Sequence, residues 1–360
     1  MQAFAKSNHQ LPDNHQAYGS VSWKSPSNIA LIKYWGKKPV QIPQNASISF
    51  TLNDAYTKTT IKYSPRREND KWIQFQFEGH KEPSFAKRIE SFFNSIKAYF
   101  PFLVQLNFEI ESQNSFPHSS GIASSASSMS ALAMCLCDVE NQLFDLDENL
   151  NLQKASFVSR LGSGSASRSV YPTLAAWGEN TAIPNSSDLY AIPYTDVHQI
   201  YKSFHDDVLI VNAEKKSVSS SAGHQLMEQN IFASQRYIQA DKHLNSLLEI
   251  MKKDDLFAWG EIVESEAMTL HALMMCSSPS YILMKPETIR VINALRRFRL
   301  ESGIPVFFTL DAGPNVHILY PHHVRSSIKE WIEDMLISLP KECYLIPDQV
   351  GQGPVKVNNV

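Results

Sequence analysis

The segment GIASSASS, Gly121 to Ser128, stands between two stretches of different periodicity. Before it, LVQLNFEI alternates apolar and polar residues from Leu103 to Ile110, which is the pattern of a half-buried strand. After it, Ile122, Ala126, Met129, Leu132, Ala133, Leu136 and Val139 recur at the spacing of an amphipathic helix. A linker does not run directly into a core helix, so this is a strand–loop–helix unit. Its loop gathers unpaired backbone N–H groups and the positive end of the helix dipole. Such a loop suits phosphate. Serines that merely cap an ordinary helix are the alternative, and the local residues leave both readings open.

A second loop of small residues follows. NLQKASFVSRLG reads as a helix with Gly162 as its C-terminal cap, and GSGSASRS then supplies glycines, hydroxyls and one guanidinium, that of Arg168. An arginine fork fits phosphate or carboxylate oxygens. Neither loop ends in the Gly-Lys-Ser/Thr of a Walker A motif.

Earlier in the chain, NIALIKYW and ASISFTL read as neighbouring strands, and KTTIKY and WIQFQFE carry further strand signal. AKRIESFFNSIKAYF sets Ile89, Phe92, Phe93, Ile96, Tyr99 and Phe100 at helical spacing. Later, DDVLIV leads into Lys215, Lys216 and a run of hydroxyls. A long helical stretch is expected from His224 to Leu273, and another helix is expected to stop at Gly303. PVFFTLDAGPNVHILY then reads as strand, tight turn, strand, with Asp311 at the end of the first strand.

Composition limits what these loops can bind. With 33 Lys+Arg against 36 Asp+Glu in 360 residues, the net charge of -3 gives no general attraction to nucleic acid or anionic membrane. A polyanion must therefore be met by a local cluster of charges. Four cysteines in such a chain make neither a disulfide framework nor a zinc site, and read as reduced thiols of the cytoplasm. No stretch of apolar residues is long enough for a signal peptide or a membrane span, and residues 1–20 read as a loose segment ahead of the fold.

Taken in order, NIALIKYWGK, FPHSSGIASSASS, RLGSGSASRS, AEKKSVSSSAG and FTLDAGPNVHIL resemble the motifs of the GHMP superfamily of small-molecule kinases, and within it the mevalonate diphosphate decarboxylases. The resemblance covers about residues 22–320. It implies an α+β chain with the GHMP kinase fold. Residues 21–195 would form an N-terminal α/β domain like the second domain of ribosomal protein S5, and residues 196–360 a ferredoxin-like domain. ATP and substrate would lie between them.

The resemblance also implies ATP-dependent decarboxylation of mevalonate 5-diphosphate to isopentenyl diphosphate, with Mg²⁺ as the partner of ATP, in a cytoplasmic homodimer. On this reading Asp311 orients or deprotonates the 3-hydroxyl, Arg168 holds the substrate carboxylate, and Lys33 sits among the phosphoryl oxygens. Tyr34, Lys37, Ser163, Gly164, Ser165 and Ser220 line the mevalonate and diphosphate portions. Gly121, Ser124, Ser125 and Lys215 take the ATP phosphates, Asn28 supports the strand bearing Lys33, and no metal ligand is assigned.

Some positions depart from the family pattern. His118, Ser119 and Ser120 replace threonine and alanines, Pro172 and Thr173 replace paired glycines, and VSSSAG lacks an arginine carried by some bacterial members. The rival readings are a phosphomevalonate decarboxylase, a mevalonate 3-kinase and a non-catalytic nucleotide-binding protein. Together, Lys33, Arg168 and Asp311 argue against the last two.

Overall fold

The computed structural model describes residues 7–67, 70–117, 122–146, 151–211 and 220–358, apart from the side chains of Ser220 and Ser221. Strand β1 (Gly19–Ile32) leads through a small hairpin, β2 (Lys37–Lys38) and β3 (Ile42–Pro43), into the long β4 (Ser47–Pro65). The two stretches expected to be neighbours do pair antiparallel, with Asn28 opposite Thr51 and Ile32 opposite Ile48. KTTIKY is not a separate strand but continues β4, because Ala55, Thr57, Thr59, Ile61 and Tyr63 keep one face buried at period two.

Next come β5 (Ile73–Phe77), β6 (His80–Lys81) and α1 (Pro83–Ile96). The expected helix ends at Ile96. Tyr99 and Phe100 fall beyond it, and a short 3₁₀ turn at Pro101–Gln105 takes up the first residues expected in the next strand. That strand is β7 (Leu106–Asn114). Then follow α2 (Ser124–Phe144), α3 (Leu152–Gly162), β8 (Leu174–Trp177) and β9 (Ala191–Pro193). The sheet runs β1–β4–β7–β5–β6, with β8 also paired to β4 and β9 to β8. Thr173, just before β8, has φ +59°, a left-handed conformation unusual for a β-branched residue. Its carbonyl accepts from Thr51 N–H and its N–H donates to Gly351 O, so the replacement of the family's glycine is held by the sheet rather than excluded from it.

The second half contains β10 (Phe204–Ile210), α4 (Ser220–Leu226), α5 (Ala233–Met251), α6 (Leu256–Met275) and α7 (Pro286–Ser302). It continues with β11 (Phe307–Leu310), β12 (Val316–Pro321), α8 (Arg325–Ile337) and β13 (Tyr344–Ile346). The sheet order β11–β12–β10–β13, antiparallel throughout, is the ferredoxin-like arrangement that the family resemblance implies. The helical stretch expected from His224 to Leu273 is divided into α4, α5 and α6. Asp255 starts α6 by accepting the Ala258 N–H at 3.1 Å. Helix α7 stops as expected, at Gly303 with φ +69°. A last strand, β14 (Val355–Lys356), returns to pair with β1 in the first sheet.

Helices α2 and α3 cover one face of the first sheet around Phe93, Phe108, Leu136 and Val158. The other face, through Ile29, Leu31, Phe50 and Leu52, packs on Phe204, Leu244 and Trp259 of the second half. Both faces of β1 are therefore covered near its end, and all eight residues from Ser25 to Ile32 are buried. Each fully buried large apolar side chain contributes about 1.5–3 kcal/mol, so this shared core fixes the two halves against each other. Residues ahead of β1 are also held, contrary to a loose tail from Ser7 onward. Leu11 exchanges backbone hydrogen bonds with the Gln105 amide, and His9 Nδ1 lies 2.9 Å from the buried Glu140 carboxylate. Among the described residues no helix is long and apolar enough to cross a membrane.

Candidate active site

Beyond Ile32 the backbone leaves β1, and Lys33 turns back so that its ammonium donates to Ala30 O at 2.7 Å. Lys33 is 2% exposed. From the other sheet, the β11–β12 turn brings Asp311 Oδ1 to 4.0 Å from Lys33 Nζ. The turn backbone is pinned on both sides. The Asp311 carbonyl accepts from Gly313 N–H at 2.7 Å and from His271 Nε2 at 3.0 Å, while Thr288 donates to Pro314 O at 2.6 Å. Burial, opposed by Asp311, Glu266 and Asp206, lowers the Lys33 ammonium to about 8.

Arg168 lies in the 3₁₀ turn Gly164–Val170 and is also 2% exposed. Its Nε donates to Ser49 Oγ at 3.0 Å, Nη1 to Ser47 Oγ at 2.7 Å and Nη2 to Asn28 Oδ1 at 3.3 Å. All three partners are neutral. Five N–H donors less these three leave one on each terminal nitrogen, and the buried positive charge has no salt-bridge partner among the described residues. Burial brings its pKa down to about 10, against the attraction of Asp311, so it stays charged near neutrality. Asn28 lies on β1, the strand that leads to Lys33. Its amide donates to Ser165 O and Ser169 Oγ, and it thereby fixes the turn that carries Arg168.

These groups line one cavity of about 220 Å³. Among the described residues its charged lining consists of Lys33, Lys37, Arg88 and Arg168 against a single carboxylate, Asp311. Ser163, Gly164 and Ser165 form one wall, and Tyr34 another. Gly164 is required there by space: a Cβ would lie 2.8 Å from Trp177 and 2.9 Å from the Tyr34 hydroxyl. Tyr34 Oη is buried without a hydrogen-bond partner among the described residues, and burial pushes its ionisation well above the usual range. It is a neutral polar group available to a ligand.

Helix α2 begins at Ser124 after Ala123, whose φ is +28°, and no side chain caps its first turn. Among the described residues, then, no serine caps this helix. Ser125 instead meets the other loop, accepting from Ser163 Oγ at 3.4 Å. Ser124 and Ser125 line a second, larger cavity of about 560 Å³, walled by Phe75, Phe77, Phe85, Ile89 and Leu132. The two cavities share Arg88, Ser125 and Gly162. Gly162 is the last residue of α3, not a left-handed cap; the extended Ser163 takes that position. A Cβ on Gly162 would run into Met129 of α2, so the glycine permits close helix packing.

Gly121 and Lys215, with His118 to Ser120, lie outside the described residues. Ser220 is the first residue of α4, and its side chain is likewise undescribed. The remaining candidates, Asn28, Lys33, Tyr34, Lys37, Ser125, Ser163, Gly164, Ser165, Arg168 and Asp311, meet in the first cavity, with Ser124 at the second.

Two titratable lining residues, Arg88 and His224, were not singled out from the sequence. Arg88 stands on the polar face of an ordinary amphipathic helix, and nothing in AKRIESFF marks it. His224 accepts the Gly36 N–H on Nδ1 at 3.0 Å and lies against the rings of Tyr34 and Trp35, at 4.4 and 4.6 Å between centroids. Burial, reinforced by Lys37, lowers it to about 3 and keeps it neutral. The glycine before it in SAGHQ is the only local sign, since a Cβ on Gly223 would meet Trp35 and Tyr281.

Family comparison agrees with this geometry. Residues 25–191 match the model of the diphosphomevalonate decarboxylase-like N-terminal domain, and residues 208–352 match that of the mevalonate 5-diphosphate decarboxylase C-terminal domain. A diphosphomevalonate decarboxylase of Debaryomyces hansenii is 28% identical over 84% of this chain and 80% of its own length. The crystal structure of mevalonate diphosphate decarboxylase from Staphylococcus aureus is 29% identical, covers 95% of this chain and 99% of its own, and superposes with a TM-score of 0.81. A structure of MDDEF in complex with MVAPP, AMPPCP and magnesium is 28% identical, covers 95% of this chain and 100% of its own, and superposes at 0.82. With both halves matched in order, the chain belongs to the diphosphomevalonate decarboxylase family.

Proposed function

We propose that this protein catalyses the ATP-dependent decarboxylation of mevalonate 5-diphosphate to isopentenyl diphosphate, ADP, phosphate and carbon dioxide. The observation that carries this reading is the charge of the first cavity: among the described residues Lys33, Lys37, Arg88 and Arg168 surround one carboxylate, Asp311. A substrate bearing a carboxylate at one end and a diphosphate at the other matches that imbalance.

The residues account for each step. Mevalonate diphosphate has no electron sink for the pair released when carbon dioxide leaves, and hydroxide is a poor leaving group. The 3-hydroxyl therefore attacks the γ-phosphorus of ATP, and ADP departs. Asp311 orients the hydroxyl or takes its proton, with Lys33 beside it to neutralise the phosphoryl oxygens. The carbon–oxygen bond then breaks, phosphate leaves with its electrons, and the pair from the bond to the carboxylate becomes the new double bond.

Arg168 holds the carboxylate with its two spare N–H groups until it leaves. Ser163, Gly164, Ser165, Tyr34, Lys37 and Ser220 form the mevalonate diphosphate wall, while Gly121, Ser124, Ser125 and Lys215 serve the ATP phosphates. The apolar second cavity takes the adenosine, with Arg88 and Ser125 at the passage between the two.

ATP brings Mg²⁺. Among the described residues no group of three or more His, Cys, Asp or Glu side chains is built to hold a metal alone. One carboxylate with serine hydroxyls in the same cavity suits Mg²⁺ carried largely by phosphates. Asp311 and Ser125 are the groups that would complete its shell, and the ion would neutralise charge on the transferring phosphoryl group. Four free thiols support a cytoplasmic location, and the family resemblance supports a homodimer.

The test is to incubate the protein with ATP, Mg²⁺ and each of mevalonate, its 5-phosphate and its 5-diphosphate, and to measure ADP and carbon dioxide. Equal amounts of both from the diphosphate are expected. ADP without carbon dioxide would indicate a 3-kinase, and preference for the monophosphate would reassign the substrate.

A further inference from the structure

The carboxylate of Glu266, on α6, is fully buried and does not itself line the substrate cavity. Its Oε1 accepts from Arg236 Nη1 at 2.6 Å and lies 2.7 Å from His243 Nδ1. Its Oε2 accepts from Arg236 Nη2 and, at 2.8 Å, from the backbone N–H of Lys33. Arg236, on α5, reaches the same residue from the other side, with Nη2 donating to the Lys33 carbonyl at 3.3 Å. Asn45 donates to that carbonyl as well, at 3.1 Å. Both backbone polar groups of Lys33 are thus held by one ion pair contributed by two helices of the opposite half.

This arrangement is more than a buried salt bridge. Lys33 is the first residue beyond the end of β1, so its N–H and C=O are not committed to that strand's ladder. Among the described residues its ammonium is hydrogen-bonded only to Ala30 O, and it faces Asp311 across 4.0 Å. Asp311 belongs to the second sheet. Whatever holds the Lys33 backbone to α5 and α6 therefore sets the distance between the ammonium and that carboxylate.

We propose that Glu266 and Arg236 form a positioning pair for Lys33, registering the strand end that carries the reactive ammonium against the half that carries Asp311. The proposal rests on the decarboxylase reading above. Neither residue touches substrate; each acts through the lysine. Buried ion pairs are seldom the most stabilising choice for a core, since desolvation offsets their attraction, so their use where a catalytic backbone must be fixed has a functional rationale.

Charge reinforces position. Lys33 is faced by Asp311 from the β11–β12 turn, Glu266 from α6, Asp206 from β10 and Arg168 from the 3₁₀ turn. Arg236 lies behind it on α5, with His243 on the same helix and His271 behind Asp311. Burial opposes ionisation of Glu266, but hydrogen bonds from His243 and Arg236 prevail and bring it down to about 2. It therefore remains an anion that favours the protonated lysine over the whole working range.

The experiment compares the wild-type enzyme with Glu266→Gln and with the double variant Glu266→Gln/Arg236→Gln. The double variant leaves no lone buried charge and so protects against simple unfolding. Expected results are a fall in kcat on the order of 10²-fold, as for a small misplacement of a catalytic group, with KM for ATP little changed. The alkaline limb of the kcat/KM profile should move to lower pH in Glu266→Gln. Acetylation of Lys33, followed by mass spectrometry against pH without substrate, should report the same shift independently of turnover.

Thermal melts identify which variant is folded. A folded variant of either kind with wild-type kcat overturns the proposal, as does an unshifted Lys33 acetylation profile in folded Glu266→Gln. If Glu266→Gln does not fold, normal kcat in the double variant overturns it. Absence of carbon dioxide release by the wild type would instead sink the functional reading, so the two failures are separable.

Discussion

Lys33 Nζ lies 4.0 Å from Asp311 Oδ1, where the end of a strand in one sheet meets a hairpin turn of the other. Lys33 is buried, whereas the Asp311 side chain keeps 26% of its exposure and opens onto the cavity. The ammonium is thus partly desolvated beside the cavity's one carboxylate among the described residues. On the proposed reading that difference in exposure separates the tasks: Asp311 would meet the substrate, and Lys33 would supply charge where phosphoryl oxygens must pass.

Replacing Asp311 by Asn preserves shape and removes the base. Turnover should fall on the order of 10²- to 10⁴-fold, while ATP binding, measured by calorimetry, stays near wild type. Near-normal release of ADP and carbon dioxide would remove Asp311 from the mechanism.

Arg168→Ala deletes the only guanidinium pinned between Ser47, Ser49 and Asn28. A loss of about 10²- to 10³-fold in kcat is expected for removal of such a charge-stabilising donor set. The substrate carboxylate should be affected more than the nucleotide. A change confined to ATP affinity would show that this loop serves the other ligand.

The pH dependence follows from burial. Lys33 is lowered to about 8, so it is protonated below that value and loses its charge as pH rises through it. Activity that needs the ammonium should therefore be present at neutral pH and fall through about 8 in the kcat/KM profile, which reports the free enzyme. Lys33→Arg keeps the charge without titrating in this range, so its reduced activity should lack that limb. Persistence of the same limb in Lys33→Arg would assign it to another group.

Gly164→Ala would bring a methyl group to 2.8 Å from Trp177 and 2.9 Å from the Tyr34 hydroxyl. Overpacking of this kind typically costs about 1–3 kcal/mol. A lower melting temperature and a raised KM for the mevalonate substrate are expected, with KM for ATP unchanged. An unaltered substrate KM would mean that Tyr34 does not define that wall.

Much was legible in local pattern. Period-two burial marks β4, helical spacing marks α2, and Gly303 ends α7 because a left-handed residue is needed there. The strand–turn–strand around Asp311 could be read directly, since its apolar runs and Asp-Ala-Gly-Pro turn lie within a few residues of one another. The break between α5 and α6 was not singled out, although four charged residues, Lys252 to Asp255, interrupt the apolar spacing there and Asp255 caps the next helix. The serine loop was ambiguous because its residues suit a cap, and only the structure shows that among the described residues none forms one.

The sequence by itself determined which segments could be strands, helices and phosphate loops, and which charged residues stood at their ends. It also carried, through five ordered motifs, the resemblance that the family comparison supports. Only the tertiary structure decided that Arg168 has neutral partners, that Asn28 ties its strand to the turn carrying Arg168, and that Glu266 and Arg236 hold the lysine backbone. The reason is range. Periodicity and turn chemistry act over a few residues, whereas desolvation and hydrogen-bond partnership are set by whatever the packed sheets and helices bring from the rest of the chain.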